Sequence, residues 1–489
     1  MLEKIFKLKT NHTSIKTEIA AGITTFMAMA YILAVNPNIL GDTGMEPSAV
    51  FVATALATFV ACIVMSFLSN LPIAISAGMG LNAFFAYTIV ASMGFSWKWA
   101  LAAVFIEGVL FIILTLTKIR EQIFDCIPLS LKYALAVGIG IYIAFIGLLS
   151  SNIIVPSSTT VLTMFSWDKF HFNTYGISVF LAIVGVLLTG LLHAKKVKGA
   201  ILIGIIIIWL LGIICQLTGI YTPGFIIDNK FFPIDYVPAA TETVTKMWPT
   251  LIPDFSVGIF GGVVENFQSL GSTFGQCFVG LNEVIQTNSW LPFLICFLAL
   301  LFVDIFDTVG TVSAVAANAG MLDKKGNLPA IKGALLSDAI GTTFGAICGT
   351  SALSAYIESS TGVAQGGRTG LTTFVVGILF LLSLLLSPLF LAIPSFAIGP
   401  ALIVVGFLMI ATVVKVDLKN PINGIPAFLM IIGIPLTYSI SDGIGWGLIS
   451  YVVLHLATGK GIGTKKKEAV HPALFIIAIL FVLHFALLK

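Results

Sequence analysis

ISAGMGLNAFF, residues 75–85, and GTSALSAYIESSTG, residues 349–362, are the two stretches of this chain that decide its fold. Each interrupts an apolar run with glycine and small polar residues, and the two stand in corresponding places in the two halves of the chain. Backbone that leaves the helix at membrane depth is tolerated only where protein or water satisfies its polar groups. Short, glycine-interrupted segments in corresponding positions of two halves are typical of the central binding site of a membrane transporter.

The composition of the chain indicates a membrane protein. Of its 489 residues, 58% are hydrophobic and 10% are charged, whereas soluble globular proteins carry about 25% charged residues. The formal net charge is +3, and no basic run interleaves with aromatic residues, so no nucleic-acid partner is expected. The six cysteines are scattered without a Cys-x-x-Cys pair, which indicates neither a disulfide framework nor a metal site.

Apolar runs recur along the chain at the length of roughly 20 residues that a helical membrane span requires. We predict an all-α polytopic membrane protein with about 14 spans, seven in a first repeat (1–219) and seven in a second (289–458). A proline-rich connecting segment (220–288) separates the repeats, and a basic C-terminal segment (459–489) follows them. Its apolar run 471–488 could be a fifteenth span, a half-span or an interfacial helix. The predicted spans are 17–40, 49–69, 72–93, 97–117, 128–150, 175–194, 198–219, 289–317, 330–348, 350–364, 370–388, 392–414, 421–440 and 442–458.

The positive charges predict how these spans are oriented. With a cytoplasmic N-terminus, 20 of the 25 Lys and Arg residues fall in cytoplasmic segments, as the positive-inside rule requires. Arg368 is one of them and is expected to be a topology anchor. We therefore predict a multi-pass protein of the cell membrane with its N-terminus in the cytoplasm. Seven spans per repeat is an odd number, so the two halves insert with opposite orientations.

Five acidic residues interrupt the apolar spans, where a charge at a lipid-facing helix centre costs about 2.5–3.5 kcal/mol. They are therefore expected to face the interior of the helix bundle. Asp304 and Asp307 lie on one helix face, and two carboxylates that close disfavour joint ionisation, which suits a group that takes up and releases a proton. The alternative is that such an acid forms a hydrogen bond between helices of the scaffold. This is the first interpretation for the acids other than Asp304, Asp307 and Glu358. The five residues are Glu107, Asp304, Asp307, Asp338 and Glu358, of which Glu107 and Asp338 are assigned to the scaffold.

Asn82, Asp307 and Glu358 form a candidate binding set near the two interrupted segments. Glu358 precedes Ser and Thr residues that favour helix starts, so it is expected to begin a half-helix in span ten, while Asn82 occupies the mirrored place in span three. One amide and two carboxylates suit the polar edge of a flat, neutral heterocycle. A metal ion would want more oxygen ligands, and an anion would want a cationic partner. Any one aromatic residue near these segments is more often a packing residue, but several offer faces for stacking, namely Phe26, Phe84, Phe85, Phe306 and Tyr356.

Several motifs resemble one family. They are AGITTFMAMAYIL (21–33), GMGLNAFFAY (78–87), DTVGT (307–311), YIESSTGV (356–363) and GGRTG (366–370). Together they are similar to the AzgA-like adenine, guanine and hypoxanthine permeases, a branch of the nucleobase–ascorbate family, also called nucleobase–cation symporter 2 or xanthine/uracil permeases. The similarity spans nearly the whole chain.

The resemblance implies two inverted seven-helix repeats, with spans 1–4 and 8–11 in a core domain and spans 5–7 and 12–14 in a gate domain. It also implies short antiparallel β-strands in spans 3 and 10, a homodimer, and proton-coupled uptake of purine bases between core and gate, without a cofactor or metal. Family roles carry over to Asn82, Asp307 and Glu358 as base-binding residues, with Asp307 linked to the proton. Uracil-type members have His where this chain has Thr311, so Asp304 or Glu358 could relay the proton instead. The complete set of candidate base contacts is Asn82, Asp307, Glu358, Phe84, Tyr356, Phe26, Thr311 and Ser359.

The alternatives to a purine carrier differ from it in cargo or in class. An anion transporter or a xanthine or uracil carrier could share this fold, although acidic residues at the site would repel an anion. An intramembrane aspartyl protease resembles this chain only in its paired carboxylates, and the Gly-x-Gly-Asp segment of those enzymes does not occur here. A channel is disfavoured because nothing in the sequence resembles a repeated selectivity loop.

Overall fold

The computed structural model describes residues 2–117, 128–157, 161–165, 172–227, 230–233, 244–248, 250–253, 258–321, 328–459, 461, 463 and 470–488. Parts of the predicted connecting segment and of the basic C-terminal segment lie outside these residues. So do several of the basic residues that predict a cytoplasmic side, namely Lys118, Arg120, Lys324, Lys325, Lys460, Lys465, Lys466 and Lys467.

Helices account for most of the first half. Span three begins as a strand, continues as helix α5 and ends as a π-helix at Phe84–Ser92. Span one is divided at Ala30 and Tyr31 into two helices. The helices of this half are α1 (Leu2–Ile5), α2 (Ile15–Met29), α3 (Ile32–Gly41), α4 (Pro47–Leu68), α5 (Met79–Ala83), α6 (Trp97–Thr117), α7 (Leu129–Ser150), α8 (Ile177–Ala194) and α9 (Ala200–Leu217).

The second half follows the same plan, with a strand and a short helix in the place of span ten. Short 3₁₀ turns at Ser383–Leu386 and Ala411–Lys415 extend two of its helices. Its helices are α10 (Gly258–Leu270), α11 (Gln276–Gln286), α12 (Trp290–Asn318), α13 (Ile331–Cys348), α14 (Ser359–Ala364), α15 (Gly370–Leu382), α16 (Ser387–Leu391), α17 (Ser395–Ile410), α18 (Pro421–Thr437), α19 (Ile440–Ala457) and α20 (Pro472–Leu488).

Nine helical stretches among the described residues are long and apolar enough to cross a membrane. Each of the nine coincides with a predicted span, so the chain is a multi-pass membrane protein. The other predicted spans correspond to elements that are broken, short or partly outside the described side chains. Shorter apolar helices include Met79–Ser92, Trp290–Ile305, Pro421–Thr437 and Leu474–Leu483.

The two glycine-interrupted stretches meet as a pair of antiparallel strands. β1 (Ile75–Ala77) pairs with β7 (Leu353–Ala355), with Ser76 opposite Ser354, and all six residues are buried. Helical hydroxyls complete the hydrogen bonding, because Thr342 Oγ1 accepts from Leu353 N at 3.0 Å and Thr58 Oγ1 bonds Ser76 Oγ at 2.7 Å. Non-helical backbone inside the membrane protein is thus satisfied by protein groups.

Small sheets outside the helices correct the prediction of an all-α chain with strands only in spans three and ten. β2 (Ile154–Ser157) and β3 (Val161–Met164) form a hairpin. β4 (Gly224–Ile227) pairs with both β5 (Lys230–Pro233) and β6 (Val244–Trp248). These segments are rich in β-branched and aromatic residues, which favour strands, and each strand, at four or five residues, is too short to stand out as a membrane span.

Helices pack mainly in two groups. In the first, α13 packs against α4 and α6, and α15 packs against α2 and α4. In the second, α7 packs against α17 and α18, α8 packs against α9 and α17, and α18 packs against α19. The helices of the first group come from spans one, two, four, nine and eleven, and those of the second come from spans five to seven and twelve to fourteen.

Reciprocal glycine contacts hold α7 against α17. A Cβ on Gly140 would lie 2.8 Å from the Gly406 carbonyl oxygen, and a Cβ on Gly406 would lie 2.4 Å from the Gly140 carbonyl oxygen. Gly147 and Gly399 face each other in the same way, at 2.7 Å in both directions. The two helices therefore touch backbone to backbone, which small residues permit in membrane helix pairs.

Candidate functional site

Asn82 sits at the first helical turn after β1. Its backbone N–H donates to the Gly78 carbonyl at 2.8 Å, and its side chain is fully buried. The Ser351 hydroxyl donates to the amide oxygen Oδ1, whereas the amide nitrogen Nδ2 is buried without a hydrogen-bond partner. One end of this amide is thus engaged, and the other is not.

Asp307 approaches the strand pair from helix α12. Its carboxylate accepts a hydrogen bond from the Ser354 hydroxyl of β7. That hydroxyl oxygen lies 2.7 Å from where a Cβ on Gly78 would stand, so only glycine fits at this position without displacing Ser354. The break in span three therefore makes room for the serine that holds Asp307.

Glu358 is the N-cap residue of the short helix α14, as the Ser and Thr residues after it predict. Its Oε1 accepts a hydrogen bond from the Tyr31 hydroxyl at 2.8 Å. Tyr31 is 1% exposed and lies where span one is divided between α2 and α3. The Tyr31 hydroxyl and both carboxylates are within electrostatic range of one another, which brings Asp307 and Glu358 into one region.

Each polar candidate therefore has a hydroxyl partner from a broken span. Ser351 engages Asn82, Ser354 engages Asp307 and Tyr31 engages Glu358. An amide nitrogen can only donate hydrogen bonds, and ionised carboxylates can only accept them. The arrangement can hold a neutral planar molecule that offers both acceptors and donors along one edge.

The aromatic candidates differ in their burial and in the contacts of their rings. Phe84 is fully buried and presents no free face in this conformation. The Phe26 ring packs edge-on against Phe380, with centroids 5.3 Å apart. Tyr356 is 5% exposed, and its hydroxyl donates to the Ala77 carbonyl at 2.6 Å, which ties it to β1.

The remaining candidates occupy less direct places. Thr311 is half-buried on α12, one turn beyond Asp307. Ser359 Oγ accepts from the backbone N–H of Ala74 at 3.0 Å, so this hydroxyl joins the two broken spans. Asp304 is fully buried, and its Oδ1 accepts from Thr308 Oγ1 at 3.0 Å.

A family model described as "Permease family", of xanthine and uracil permeases, matches residues 16–446. The chain belongs to this family. It is therefore a permease, a membrane transporter rather than an enzyme, and the predicted resemblance to the nucleobase–ascorbate family is confirmed.

Curated relatives in the family match the chain along nearly its full length. The guanine/hypoxanthine permease PbuO of Bacillus subtilis is 38% identical, with 98% of each chain covered. The adenine permease AdeP of Escherichia coli is 35% identical, with 99% of this chain and 95% of that one covered.

The fold is shared with a more distant solved structure. The transmembrane domain of the bicarbonate transporter BicA from a cyanobacterium superimposes with a TM-score of 0.56, at 16% identity, over 88% of this permease and 97% of that domain. At this identity the likeness concerns the fold alone.

Among the buried acids that sequence reasoning missed is Glu18. Its carboxylate accepts from the backbone N–H groups of Arg368 at 2.9 Å, Thr369 at 3.3 Å and Thr372 at 3.2 Å, and from the Thr372 hydroxyl at 2.6 Å. Glu18 thus caps helix α15 from a distant part of the chain. Its place at the basic edge of span one concealed it, because a charge there is ordinary.

Arg368, for which the sequence predicts only a topology anchor, has a structural role as well. Its guanidinium donates to the Val363 and Gly367 carbonyls, both at 2.7 Å, and so closes the end of α14, the helix that begins at Glu358. Sequence reasoning also missed Tyr31, Ser351 and Ser354. The first belongs to a motif that carries the family resemblance, and the two serines lie within the quoted stretch 349–362.

The two scaffold acids lie on helices that pack together. Glu107 on α6 and Asp338 on α13 are fully buried, and α6 packs against α13. A Cβ on Gly108 of α6 would lie 2.5 Å from Thr343 Oγ1 of α13. These positions fit a role between helices.

Proposed function

We propose that the permease is a secondary active transporter that carries purine nucleobases, adenine, guanine or hypoxanthine, into the cell together with protons. The observation that carries this proposal is the meeting of Asn82, Asp307 and Glu358 at the two broken spans, each oriented by a hydroxyl. Relatives whose names specify adenine or guanine and hypoxanthine support the choice of cargo.

The base contacts divide by chemistry. Asn82 donates to an acceptor of the base, and the Asp307 and Glu358 carboxylates accept from its N–H groups. Tyr356, Phe26, Thr311 and Ser359 border or support these contacts, and so does Phe84, which follows Asn82 by two residues in the sequence.

Proton coupling is assigned to Asp307. A carboxylate inside a membrane protein is costly as a charge, so protonation of this group favours movement of the loaded site through the membrane. Asp304, one turn before it on α12, and Glu358 are the other candidates for the relay. The proton gradient is the driving force, and no cofactor or metal takes part.

The complete architecture proposed is fourteen spans in two inverted repeats. The two packing groups of helices support a core of spans 1–4 and 8–11 and a gate of spans 5–7 and 12–14. The core rocks against the gate to expose the site alternately to either side. The Thr88 hydroxyl of span three donates to the Tyr438 carbonyl after span thirteen at 3.0 Å, which is one contact between the two domains. By the family resemblance, the permease works as a homodimer, with its N-terminus in the cytoplasm.

The experiment that tests the proposal compares carboxylate variants in a host without its own purine uptake. Accumulation of labelled hypoxanthine is measured with and without a protonophore, together with exchange of internal for external base. We expect Asp307→Asn to lose accumulation while retaining exchange, and the exposed-site control Asp417→Asn to behave as the wild type.

Two results would contradict the assignment. Uphill accumulation by Asp307→Asn at the wild-type rate would remove Asp307 from the coupling, and loss of accumulation in Asp304→Asn alone would transfer the role to Asp304. Wild-type uptake that ignores the protonophore would contradict proton coupling altogether.

A bicarbonate-type cargo is the second candidate, because the fold is shared with BicA. Two carboxylates at the proposed site repel an anion. Competition of the uptake by bicarbonate or sulfate, but by no nucleobase, would favour this candidate, and competition by xanthine or uracil alone would favour another base.

A further inference from the structure

The amide of Asn82 has a fixed polarity. An asparagine side chain carries one acceptor oxygen and one donor nitrogen, and only its hydrogen-bonding partners determine which end points where. The Ser351 hydroxyl donates to the amide oxygen, and the amide nitrogen is buried without a hydrogen-bond partner. Buried polar groups nearly always have partners, so an unpaired, fully buried donor beside a binding site indicates that a ligand supplies the acceptor.

Ser351 is itself held in place. It is fully buried and follows Gly349, which ends α13 with a φ of 100°. Its neighbour Thr350 accepts a hydrogen bond from Asn36 Nδ2 at 2.8 Å, and β7 begins two residues later at Leu353. With its backbone fixed on both sides, Ser351 positions Asn82 and does not itself need to reach the base.

The site thus presents one donor together with acceptors from Asp307 and Glu358. Purines differ in the order of hydrogen-bond donors and acceptors along the edge of their six-membered ring. A 6-oxopurine carries an acceptor, O6, beside a donor, N1–H, and guanine adds a 2-amino donor. Adenine carries the reverse, a 6-amino donor beside the N1 acceptor.

We propose that Ser351 orients the Asn82 amide so that its nitrogen faces the base, and that the permease therefore selects 6-oxopurines over adenine. This inference rests on the proposed function. The Asn82 nitrogen donates to O6, and a carboxylate accepts from N1–H. Adenine would instead direct its amino group at the amide nitrogen, donor against donor, and its N1 at a carboxylate, acceptor against acceptor.

The test measures competition against labelled hypoxanthine uptake by hypoxanthine, guanine, 1-methylguanine and adenine. We expect the wild type to bind guanine and hypoxanthine at least about tenfold more tightly than adenine, because a site built around a hydrogen bond rejects a ligand that leaves its groups unpaired. 1-Methylguanine, which lacks N1–H, should compete as poorly as adenine.

Variants of Ser351 distinguish an effect on the orientation of the Asn82 amide from an effect on folding. Ser351→Ala frees the amide to turn over, so the ratio of the guanine to the adenine inhibition constant should move toward unity by about fivefold or more. Ser351→Thr keeps the hydroxyl and should restore the ratio. Thr342→Val is the matched control, because it removes a buried hydroxyl bond to Leu353 in β7, two residues after Ser351, without touching Asn82, and should leave the ratio unchanged.

The inference is overturned if the wild type prefers adenine, or if Ser351→Ala keeps the wild-type ratio. Should Ser351→Ala fail to reach the membrane, the wild-type panel with 1-methylguanine decides the outcome alone. Failure of the proposed function looks different, because then neither class of purine competes or accumulates.

Discussion

Glu18 concentrates four hydrogen bonds on one carboxylate at the start of α15. Three of them come from backbone N–H groups at the start of the helix, where few intrahelical acceptors are available; the Thr372 N–H also donates to the Thr369 carbonyl at 3.2 Å. A negative charge is favoured there by the helix dipole as well. Glu18 therefore ties helix α2 to the start of α15.

Replacing Glu18 by Gln should therefore destabilise the permease. Gln keeps one carbonyl acceptor but loses the charge and the second acceptor oxygen, and hydrogen bonds to charged groups contribute about 1.5–3 kcal/mol each. We expect a clearly lower midpoint of thermal unfolding in detergent. Glu3→Gln is the control, since Glu3 forms only an exposed ion pair with Lys9 at 3.2 Å. Equal midpoints for the two variants would contradict this role.

Tyr31→Phe probes the orientation of Glu358. The substitution removes the 2.8 Å hydrogen bond and retains the ring, so KM for the transported base should rise by about tenfold while the unfolding midpoint hardly changes. Tyr87→Phe removes a comparable bond, to Asp42 at 2.9 Å in an exposed place, and should leave KM as it is. If both variants raise KM alike, Tyr31 has no special link to the site.

The pair α7 and α17 shows how helices rather than single side chains set the architecture. Its reciprocal glycines allow the two backbones to touch, and each helix follows a proline at its start, Pro128 and Pro394. Close backbone contact of this kind gives no room for a side chain. The contact is thus intolerant of even one added methyl group.

Gly406→Ala should disrupt this pair. The new Cβ would lie 2.4 Å from a backbone oxygen, which cannot move aside as a flexible side chain could, and overpacking costs about 1–3 kcal/mol. We expect a lower unfolding midpoint and less folded protein in the membrane. Gly190→Ala on α8, where no atom lies within 4 Å of the new Cβ, should leave the midpoint unchanged or raise it. An unaffected Gly406→Ala would show that the helices separate at no cost.

Helix α20 bears on the topology of the complete chain. A Cβ on Gly445, near the start of α19, would lie 2.9 Å from Phe481 and 2.8 Å from Phe485. The end of α20 therefore lies beside the beginning of α19, and the two helices run antiparallel. Seventeen residues give a length of about 26 Å, close to the roughly 30 Å of a bilayer core.

We expect α20 to cross the membrane. The apolar run 471–488 would then be a fifteenth span rather than a half-span or an interfacial helix. In the fourteen-span arrangement α19 begins outside, so the end of α20 is outside too. Alkaline phosphatase fused after Lys489 should be active and green fluorescent protein should not fluoresce there. The same reporters at the N-terminus should give the opposite results. A fluorescent C-terminal fusion would place the end of α20 inside.

The sequence indicated those parts of the fold and site that are costly to place in a membrane. Carboxylates at Asp307 and Glu358 and the glycine breaks around residues 78 and 349 stand out against an apolar background. Ser351, Ser354 and Tyr31 did not, because hydroxyls are common in membrane helices and each partner is far away in sequence. Asn82 and Ser351 are 269 residues apart, a separation that no local pattern reveals.

The strand pair has a consequence for how this permease can vary. Side chains alternate along a strand, so removing or adding one residue in β1 or β7 would turn every later side chain to the opposite face. A change of length in β7 would move Ser354 away from Asp307 and would also alter the spacing from Ser351 to Glu358, whereas a change in β1 would alter its register against β7. Functional variants can therefore exchange residues in these two strands, but they cannot change the length of either one, and a deletion scan should find both strands intolerant where the surface hairpin β2–β3 is permissive.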